Sequence, residues 1–127
     1  MNMSEFRPVL YLKASCPFCL KVAAFLCEAD LLDGCDMREF WPGDEREQPI
    51  RAELAAHLET VTLPAMQYAP DAYMTESDAI IQHFAEQSGI DPDALPFFQY
   101  VVSGPMRRMR EQFMEIRRLS QEAVPVA

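Results

Sequence analysis

The residues of this chain best suited to chemistry are two cysteines, Cys16 and Cys19, which stand three positions apart. They follow a short apolar run, residues 8–12, that predicts a buried strand, and Pro17 is typical of the first turn of a helix. Cys16 would then lie at a helix N-terminus, where unpaired N–H groups and the helix dipole stabilise an anion. A thiolate is such an anion, so we expect the pKa of Cys16 to lie below that of a free thiol.

The neighbours of Cys16 in the sequence favour redox chemistry. Lys13, three residues earlier, brings a positive charge close to the thiolate, and Cys19 lies one helical turn deeper, within reach for a disulfide. Cys16 would attack a disulfide, and Cys19 would resolve the intermediate. Two ordinary core thiols, or half of a zinc site, are the alternatives. Zinc needs two more ligands, and the remaining candidates form no second close pair: Cys27, Cys35, His57 and His83.

Two further short motifs have the chemistry to bind a ligand. Leu63-Pro64 begins a short strand, where a cis peptide bond would leave the Leu63 backbone free to pair with a peptide-like ligand. Glu76-Ser77-Asp78 stands at the start of a predicted helix. There, Ser77 and the adjacent N–H groups can bind a carboxylate, and Glu76 or Asp78 can receive an ammonium group. A plain helix cap formed by Ser77 is the alternative.

Hydrophobic periodicity and turn residues predict the element order β-α-β-α-β-β-α, an α/β fold. The predicted elements are a strand at 8–12, a helix at 17–29, a strand at 35–41, a helix from Pro49, strands at 65–66 and 73–74 around a turn at Pro70-Asp71, and a helix from Ser77 to Gly89. The first strand–helix–strand unit implies parallel pairing. Residues 92–104 are expected to form a connection with a few aromatic anchors.

The first helix is expected to bury one apolar stripe. This stripe consists of Leu20, Ala23, Ala24, Cys27 and Leu31. We therefore expect Cys27 to be a buried, inert thiol.

Residues 105–121 predict an additional amphipathic helix at the C-terminal end. Its apolar seam, spaced by three or four residues, is Met106, Met109, Phe113 and Ile116. So narrow a seam suits a helix–helix contact, within the domain or in a homodimer, and we favour the homodimer. The five arginines of this helix are expected to face outward or toward acidic groups of the body.

The composition indicates one globular domain. The 127 residues, half of them apolar, suffice for a core without metals or disulfides. Residues 1–105 carry a net charge of −11 and residues 106–127 one of +2, and the acidic body disfavours nucleic acid as a partner. The sequence shows neither a membrane-spanning stretch nor a signal peptide, so we expect no membrane partner and a cytoplasmic location.

Taken together, the motifs resemble those of the glutaredoxins and of the N-terminal domain of the glutathione transferases. The sequence KASCPFC at residues 13–19 resembles the glutaredoxin active-site stretch, and TLP at residues 62–64 is similar to their Thr-Val-Pro, whose proline is cis. The sequence YMTESDAI at residues 73–80 resembles the transferase stretch that holds the γ-glutamyl end of glutathione. The combination is most similar to the transferase-like glutaredoxins.

This resemblance implies a thioredoxin-like domain over residues 1–90, followed by a linker and a C-terminal helical extension over residues 91–127. It also implies a glutathione-dependent thiol–disulfide oxidoreductase, with Cys16 as nucleophile, Cys19 as resolving thiol and Lys13 assisting. Glutathione would be the co-substrate, and the residues that bind it would be Lys13, Leu63, Pro64, Glu76 and Ser77. The second substrate would be a disulfide, or a glutathionylated protein or small molecule.

Two departures from these families leave alternatives open. Phe18 replaces the usual tyrosine, and residues 91–127 leave room for one or two helices where the transferases continue with an all-helical domain. One alternative is a glutathione-binding domain without redox activity, and another is an interaction module that dimerises through its last helix. A bridging iron–sulfur cluster is a further alternative, which the resemblance to dithiol enzymes disfavours.

Overall fold

The computed structural model of this chain describes residues 6–122. Within them, strands and helices follow one another as β1 (Val9–Lys13), α1 (Pro17–Glu28), β2 (Asp36–Phe40), α2 (Glu47–Ala55), β3 (Ala65–Ala69), β4 (Ala72–Thr75), α3 (Ser77–Ser88), α4 (Pro96–Ser103) and α5 (Pro105–Glu122). Single 3-10 turns lie at Leu32–Gly34 and Pro92–Ala94. The predicted order β-α-β-α-β-β-α is confirmed, and α5 is the additional C-terminal helix.

The four strands form one mixed sheet in the order β2-β1-β3-β4. Strand β1 is parallel to β2, with Val9 opposite Asp36, and antiparallel to β3, which is in turn antiparallel to β4. The carboxyl ends of β1, β2 and β4 therefore meet at one edge of the sheet. Helices α1 and α3 begin just after β1 and β4, so both helix N-termini lie at this edge.

Alternating side chains of β1 divide the core into two layers. Leu10 and Leu12 belong to the layer that contains α1 and α3, whereas Tyr11 belongs to the layer of α2. In that second layer the buried residues are Tyr11, Phe40, Ile50, Leu54 and Ala65. Burial on both faces explains why β1 is a continuous apolar run rather than an alternating one.

The buried face of α1 differs from the predicted stripe. The buried side chains of its middle turns are Cys19, Lys21, Val22, Phe25 and Leu26. Leu20 and Cys27 are exposed, so the prediction of a buried Cys27 is wrong. Helix α1 is apolar around most of its circumference, and Lys21 is buried because its ammonium group pairs with Asp78 of α3. The periodicity of α1 alone therefore did not identify the face that packs.

Helix α4 lies within residues 92–104, where a plain connection was expected, so that expectation is wrong. Phe98 of α4 is buried against Phe25 of α1, with ring centroids 5.6 Å apart. The Glu28 carboxylate accepts hydrogen bonds from the backbone N–H groups of Phe97 and Phe98, at 3.2 and 2.6 Å. It thereby satisfies N–H groups at the start of α4 that have no partner within the helix. Glu28 lies 70 residues before Phe98, so the sequence around α4 does not indicate this cap.

Helix α5 packs against the domain with only part of its predicted seam. Met106 is fully buried and Phe113 is half-buried, whereas Met109 is exposed and Ile116 is 63% exposed. Within this chain, Met106 and Phe113 therefore pack on the domain, whereas Met109 and Ile116 stay largely exposed. Packing of these two side chains against a second copy stays a prediction.

Two arginines of α5 pair with acidic residues of their own helix rather than with the body. Arg107 lies 3.5 Å from Glu111, and Arg118 bonds to both Glu115 and Glu122. Pairs spaced by three or four residues form readily on a helix surface. Among the described residues, no helix is long and apolar enough to cross a membrane.

Candidate active site

Cys16 occupies the N-cap position of α1, at the edge of the sheet where β1 ends. A tight turn delivers it there: the N–H of Ala14 bonds to Phe40 of β2, at 2.9 Å, and the N–H of Cys16 bonds to the carbonyl of Lys13, at 3.2 Å. The helix then begins with a bond from Leu20 N–H to the Cys16 carbonyl. Cys16 is 8% exposed, so its sulfur lies at the floor of a depression rather than on a protruding surface.

The two cysteines of the motif have opposite acidities. The thiol of Cys19 donates a hydrogen bond to the sulfur of Cys16, and this bond does most to lower the pKa of Cys16 to about 6. Burial acts against the shift, while the backbone N–H groups of Cys19 and Phe18 and the charge of Lys13 support it. The pKa of Cys19 is raised, first because it is the donor in that bond and second because it is buried. Cys16 is therefore the thiolate and Cys19 its proton-bearing partner.

A cavity of about 440 Å³ opens beside the sulfur of Cys16. It brings Cys16 together with two other predicted site residues, Lys13 and Leu63. The rest of its lining is Phe18, Arg51, Val61, Thr62, Phe113 and Arg117. Sequence reasoning missed Arg51, Phe113 and Arg117 as site residues, because α2 and α5 reach Cys16 only through the tertiary packing.

A second cavity, of about 260 Å³, reaches both cysteines from the other side. Its wall away from the cysteines is largely apolar and includes Leu20, Met37 and Met109. Cys16 thus lines two cavities, and Cys19, although buried, lines the second of them as well.

The peptide bond between Leu63 and Pro64 is cis, as predicted. Strand β3 pairs with β1 so that Ala65 stands opposite Tyr11. Continuing this antiparallel register by two residues brings Leu63 level with Lys13, where β1 ends. Pro64, which directly precedes β3, is buried.

Glu76 and Ser77 lie at the same edge of the sheet but outside the lining of the cavity beside Cys16. Thr75 pairs with Ala65, so the end of β4 is two strands away from β1. Glu76 holds the N-cap position of α3 with a positive φ of 78°, and Ser77 is a buried residue of the first turn. The alternative that Ser77 caps α3 is wrong, since no side chain makes a cap hydrogen bond there.

An ion pair between Lys21 and Asp78 joins the second turn of α1 to the first turn of α3. The side chain of Lys21 is 10% exposed, whereas that of Asp78 is 84% exposed. The carboxylate of Asp78 is therefore already paired with a cation of the protein. Glu76, the other acidic residue expected to receive an ammonium group, forms no ion pair among residues 6–122.

Residues 10–92 match the family model described as "Glutathione S-transferase, N-terminal domain". The chain belongs to this family. The matched stretch of this glutathione S-transferase N-terminal domain runs from β1 through α3 and leaves α4 and α5 outside. It thus contains every site residue predicted from the sequence, but neither Phe113 nor Arg117.

Solved structures share the fold of this glutathione S-transferase N-terminal domain. Glutathione transferase Omega 3C from Trametes versicolor is 19% identical with a TM-score of 0.54, and the match covers 77% of this chain and 42% of that one. Glutaredoxin 2 from Salmonella typhimurium, solved in complex with glutathione, is 17% identical with a TM-score of 0.52, covering 76% and 44%. These likenesses confirm the thioredoxin-like fold.

The match covers less than half the length of each of these solved relatives. A possible glutathione S-transferase from Rhodopseudomonas palustris, 22% identical with a TM-score of 0.49, shows the same proportion, since the match covers 64% of this chain and 40% of that one. No curated protein matches the chain.

Proposed function

We propose that the protein is a glutathione-dependent thiol–disulfide oxidoreductase of the glutaredoxin kind. The observation that carries this proposal is the position of Cys16 at the N-cap of α1, with Cys19 in the first turn of the helix and both residues lining one cavity. A cysteine with a pKa of about 6 is largely thiolate at neutral pH, and the thiolate is the nucleophile in disulfide exchange. Membership of a glutathione transferase family supports glutathione as the reductant.

The proposed reaction begins with a mixed disulfide between glutathione and a second thiol. The Cys16 thiolate attacks the glutathione sulfur, the S–S bond breaks, and the second thiol leaves as a thiolate that takes a proton from water. Another glutathione thiolate then attacks the glutathione sulfur held on Cys16. This step releases oxidised glutathione and restores the Cys16 thiolate. In the net reaction, one glutathione thiol is consumed, the second thiol is freed, and the mixed disulfide is exchanged for oxidised glutathione.

Cys19 offers a second way to resolve the intermediate. After losing its proton to water, Cys19 attacks the sulfur of Cys16, releases glutathione and forms the Cys16–Cys19 disulfide. The raised pKa of Cys19 keeps it protonated until Cys16 has reacted, because the thiolate it bonds to is the main cause of that shift. Lys13 stabilises the thiolate of Cys16 through its charge.

Glutathione is proposed to bind along the edge of the sheet. Its thiol would meet Cys16, its backbone would pair with Leu63 above Pro64, and its γ-glutamyl end would reach Glu76 and Ser77. Strands lie about 4.8 Å apart, so two spacings amount to roughly 10 Å. An extended tripeptide also spans roughly 10 Å. The distance from β1 to β4 is therefore of the right size for this pose.

In the test, the protein is mixed with excess glutathione and the mixed disulfide of glutathione and 2-mercaptoethanol. Glutathione reductase reduces the oxidised glutathione that forms, and the consumption of NADPH gives the rate. We expect turnover by the natural sequence and none by Cys16→Ser. Cys27→Ser is the matched control, because Cys27 is an exposed thiol of the same helix outside both cavities. Equal rates for the natural protein and Cys16→Ser would refute the proposal.

A glutathione-binding domain without redox activity is the second candidate. The low exposure of Cys16, 8%, favours it, since a large substrate has little direct access to the sulfur. Calorimetric binding of glutathione without turnover in the coupled assay is the outcome expected from this candidate.

A further inference from the structure

Three cationic side chains from three different elements line the cavity beside Cys16. They are Lys13 at the end of β1, Arg51 of α2 and Arg117 of α5. None of the described residues that line this cavity is acidic, although the whole chain carries a net charge of −9. A concave site with one sign of charge concentrates ligands of the opposite sign.

Arg117 is the cation of this group that is most available to a ligand. Within residues 6–122 it forms no ion pair, in contrast to Arg107 and Arg118 of the same helix. Its guanidinium lies over the ring of Phe113, 6.0 Å from the centroid, and Phe113 meets the ring of Phe18. This stack orients Arg117 toward the cavity without neutralising it.

Arg51 is held more firmly but is partly neutralised. Its Nε bonds to the Glu47 carboxylate at 2.8 Å, and its guanidinium lies 5.4 Å from the centroid of Phe40. Glu47 does not itself line the cavity. The charge of Glu47 also acts on Lys13. One carboxylate beside three cations leaves the cavity with a net positive charge, and Arg117 forms no ion pair among residues 6–122.

We propose that Arg117, assisted by Lys13 and Arg51, binds a carboxylate next to the reacting sulfur of Cys16, so that the preferred substrates are disulfides of acidic thiols. Arginine suits this role because its planar fork matches the geometry of a carboxylate. The substrate class rests on the proposed oxidoreductase function, whereas anion binding beside Cys16 does not. The carboxylate can come from glutathione or from the second thiol.

The first experiment measures anion recognition without any disulfide chemistry. Reduced protein is alkylated with iodoacetate, an anion, or with iodoacetamide, its neutral analogue, and the rate at Cys16 is followed by mass spectrometry. In both cases the thiolate forms an S–C bond and iodide leaves. The ratio of the two rates cancels changes in thiolate fraction and reports the charge around the sulfur.

We expect Arg117→Gln to lower the iodoacetate-to-iodoacetamide ratio about threefold to tenfold, and Arg117→Lys to restore most of it. Arg108→Gln is the matched control, since it removes the same charge from the same helix outside this cavity, and it should change the ratio less than twofold. Added salt should lower the ratio of the natural protein toward that of Arg117→Gln. An unchanged ratio in Arg117→Gln overturns the proposal, whatever the outcome of the activity assay.

The second experiment separates the two sources of the carboxylate by single turnover of the reduced protein. Oxidised glutathione, 3,3′-dithiodipropionate and the neutral 2-hydroxyethyl disulfide are compared. Slowing of the two anionic disulfides alone in Arg117→Gln supports a general carboxylate site. Slowing of oxidised glutathione alone assigns the site to a glutathione carboxylate, and equal slowing of all three overturns the proposal. If the natural protein reduces none of them, the proposed function fails while the alkylation ratio still decides anion binding.

Discussion

Phe18 and Phe113 meet edge to face, with ring centroids 6.0 Å apart and an angle of 81° between the rings. Phe18 stands between the two cysteines, and Phe113 belongs to α5, which lies outside the matched family domain. Aromatic contacts of this geometry add to the stabilisation from burial. The position of α5 is thus coupled directly to the residues around Cys16.

A chain ending at Gly104 should be less stable than the full chain, because it lacks the fully buried Met106 and exposes Phe18. Loss of a buried methionine alone costs about 2–5 kcal/mol. Urea unfolding of the two chains measures the difference, with a chain ending at Ser120 as the control that keeps both contacts. If the shorter chain stays folded, soluble and equally stable, α5 has no structural role.

Sedimentation of the full chain tests the predicted homodimer, which stays a prediction. Helix α5 leaves large apolar side chains exposed, namely Met109, Met114, Ile116 and Leu119. A second copy that covers some of them should appear as a dimer at micromolar concentration. A monomer at that concentration contradicts the homodimer.

Alkylation of the reduced protein should occur first at Cys16, with a midpoint near pH 6. Cys19→Ala should raise this midpoint by about one pH unit or more, because it removes the donor that does most to lower the pKa. Cys19→Ser keeps a donor and should shift it less, and it should retain part of the glutathione-linked activity. Faster alkylation of Cys19 than of Cys16 would reverse the assigned roles.

The stability of the reduced protein should rise between pH 6 and pH 9. The pKa of Cys16 falls from an ordinary value near 9 to about 6 on folding, so the unfolded chain binds more protons than the folded one in this window. The contribution is complete above pH 9 and is lost as the pH falls through 6. Three pKa units correspond to at most about 4 kcal/mol, so the gain relative to Cys16→Ser should not exceed this value. If the free energy of unfolding depends on pH in the same way for both proteins across this range, the Cys16 thiolate does not contribute to stability.

Glu76→Gly should stabilise the fold by about 1 kcal/mol, because glycine adopts the positive φ of 78° without steric cost. The same change should weaken glutathione binding, since it removes the proposed partner of the ligand's ammonium group. Asp30→Gly is the matched control: Asp30 also has a positive φ, of 61°, but lies outside the proposed site. Ser77→Ala should likewise weaken binding, and unchanged affinity in both site variants would reduce this motif to a helix start.

Asp78→Asn should destabilise the protein by about 1–3 kcal/mol, because it leaves the buried ammonium group of Lys21 without its counter-charge. Lys21→Met should cost less, since methionine fills the same space without a charge, and the double variant should cost less than the sum. Thermal unfolding of the three proteins forms the required double-mutant cycle. Additive effects would mean that the ion pair contributes no coupling energy.

The sequence by itself determined those helices and strands, and the position of Cys16 at a helix start, that depend on neighbouring residues in the chain. A continuous apolar run became β1, Pro17 started α1 directly after Cys16, and Gly89 ended α3 in a left-handed conformation. Ile80, Ile81, Phe84 and Ala85 recur at the spacing of one helix face, and all four are buried in α3. Each of these outcomes depends on residues within one or two turns of each other.

Only the tertiary structure decided which residues surround Cys16 and which face of α1 packs. Glu28 caps α4 from 70 residues away, and Lys21 is buried because Asp78 lies 57 residues ahead of it. Arg117 enters the cavity because α5 crosses α1 at Phe18, an arrangement that no spacing within α5 encodes. Contacts of this kind depend on how helices are oriented against one another, and that orientation is set by the packing of the whole core.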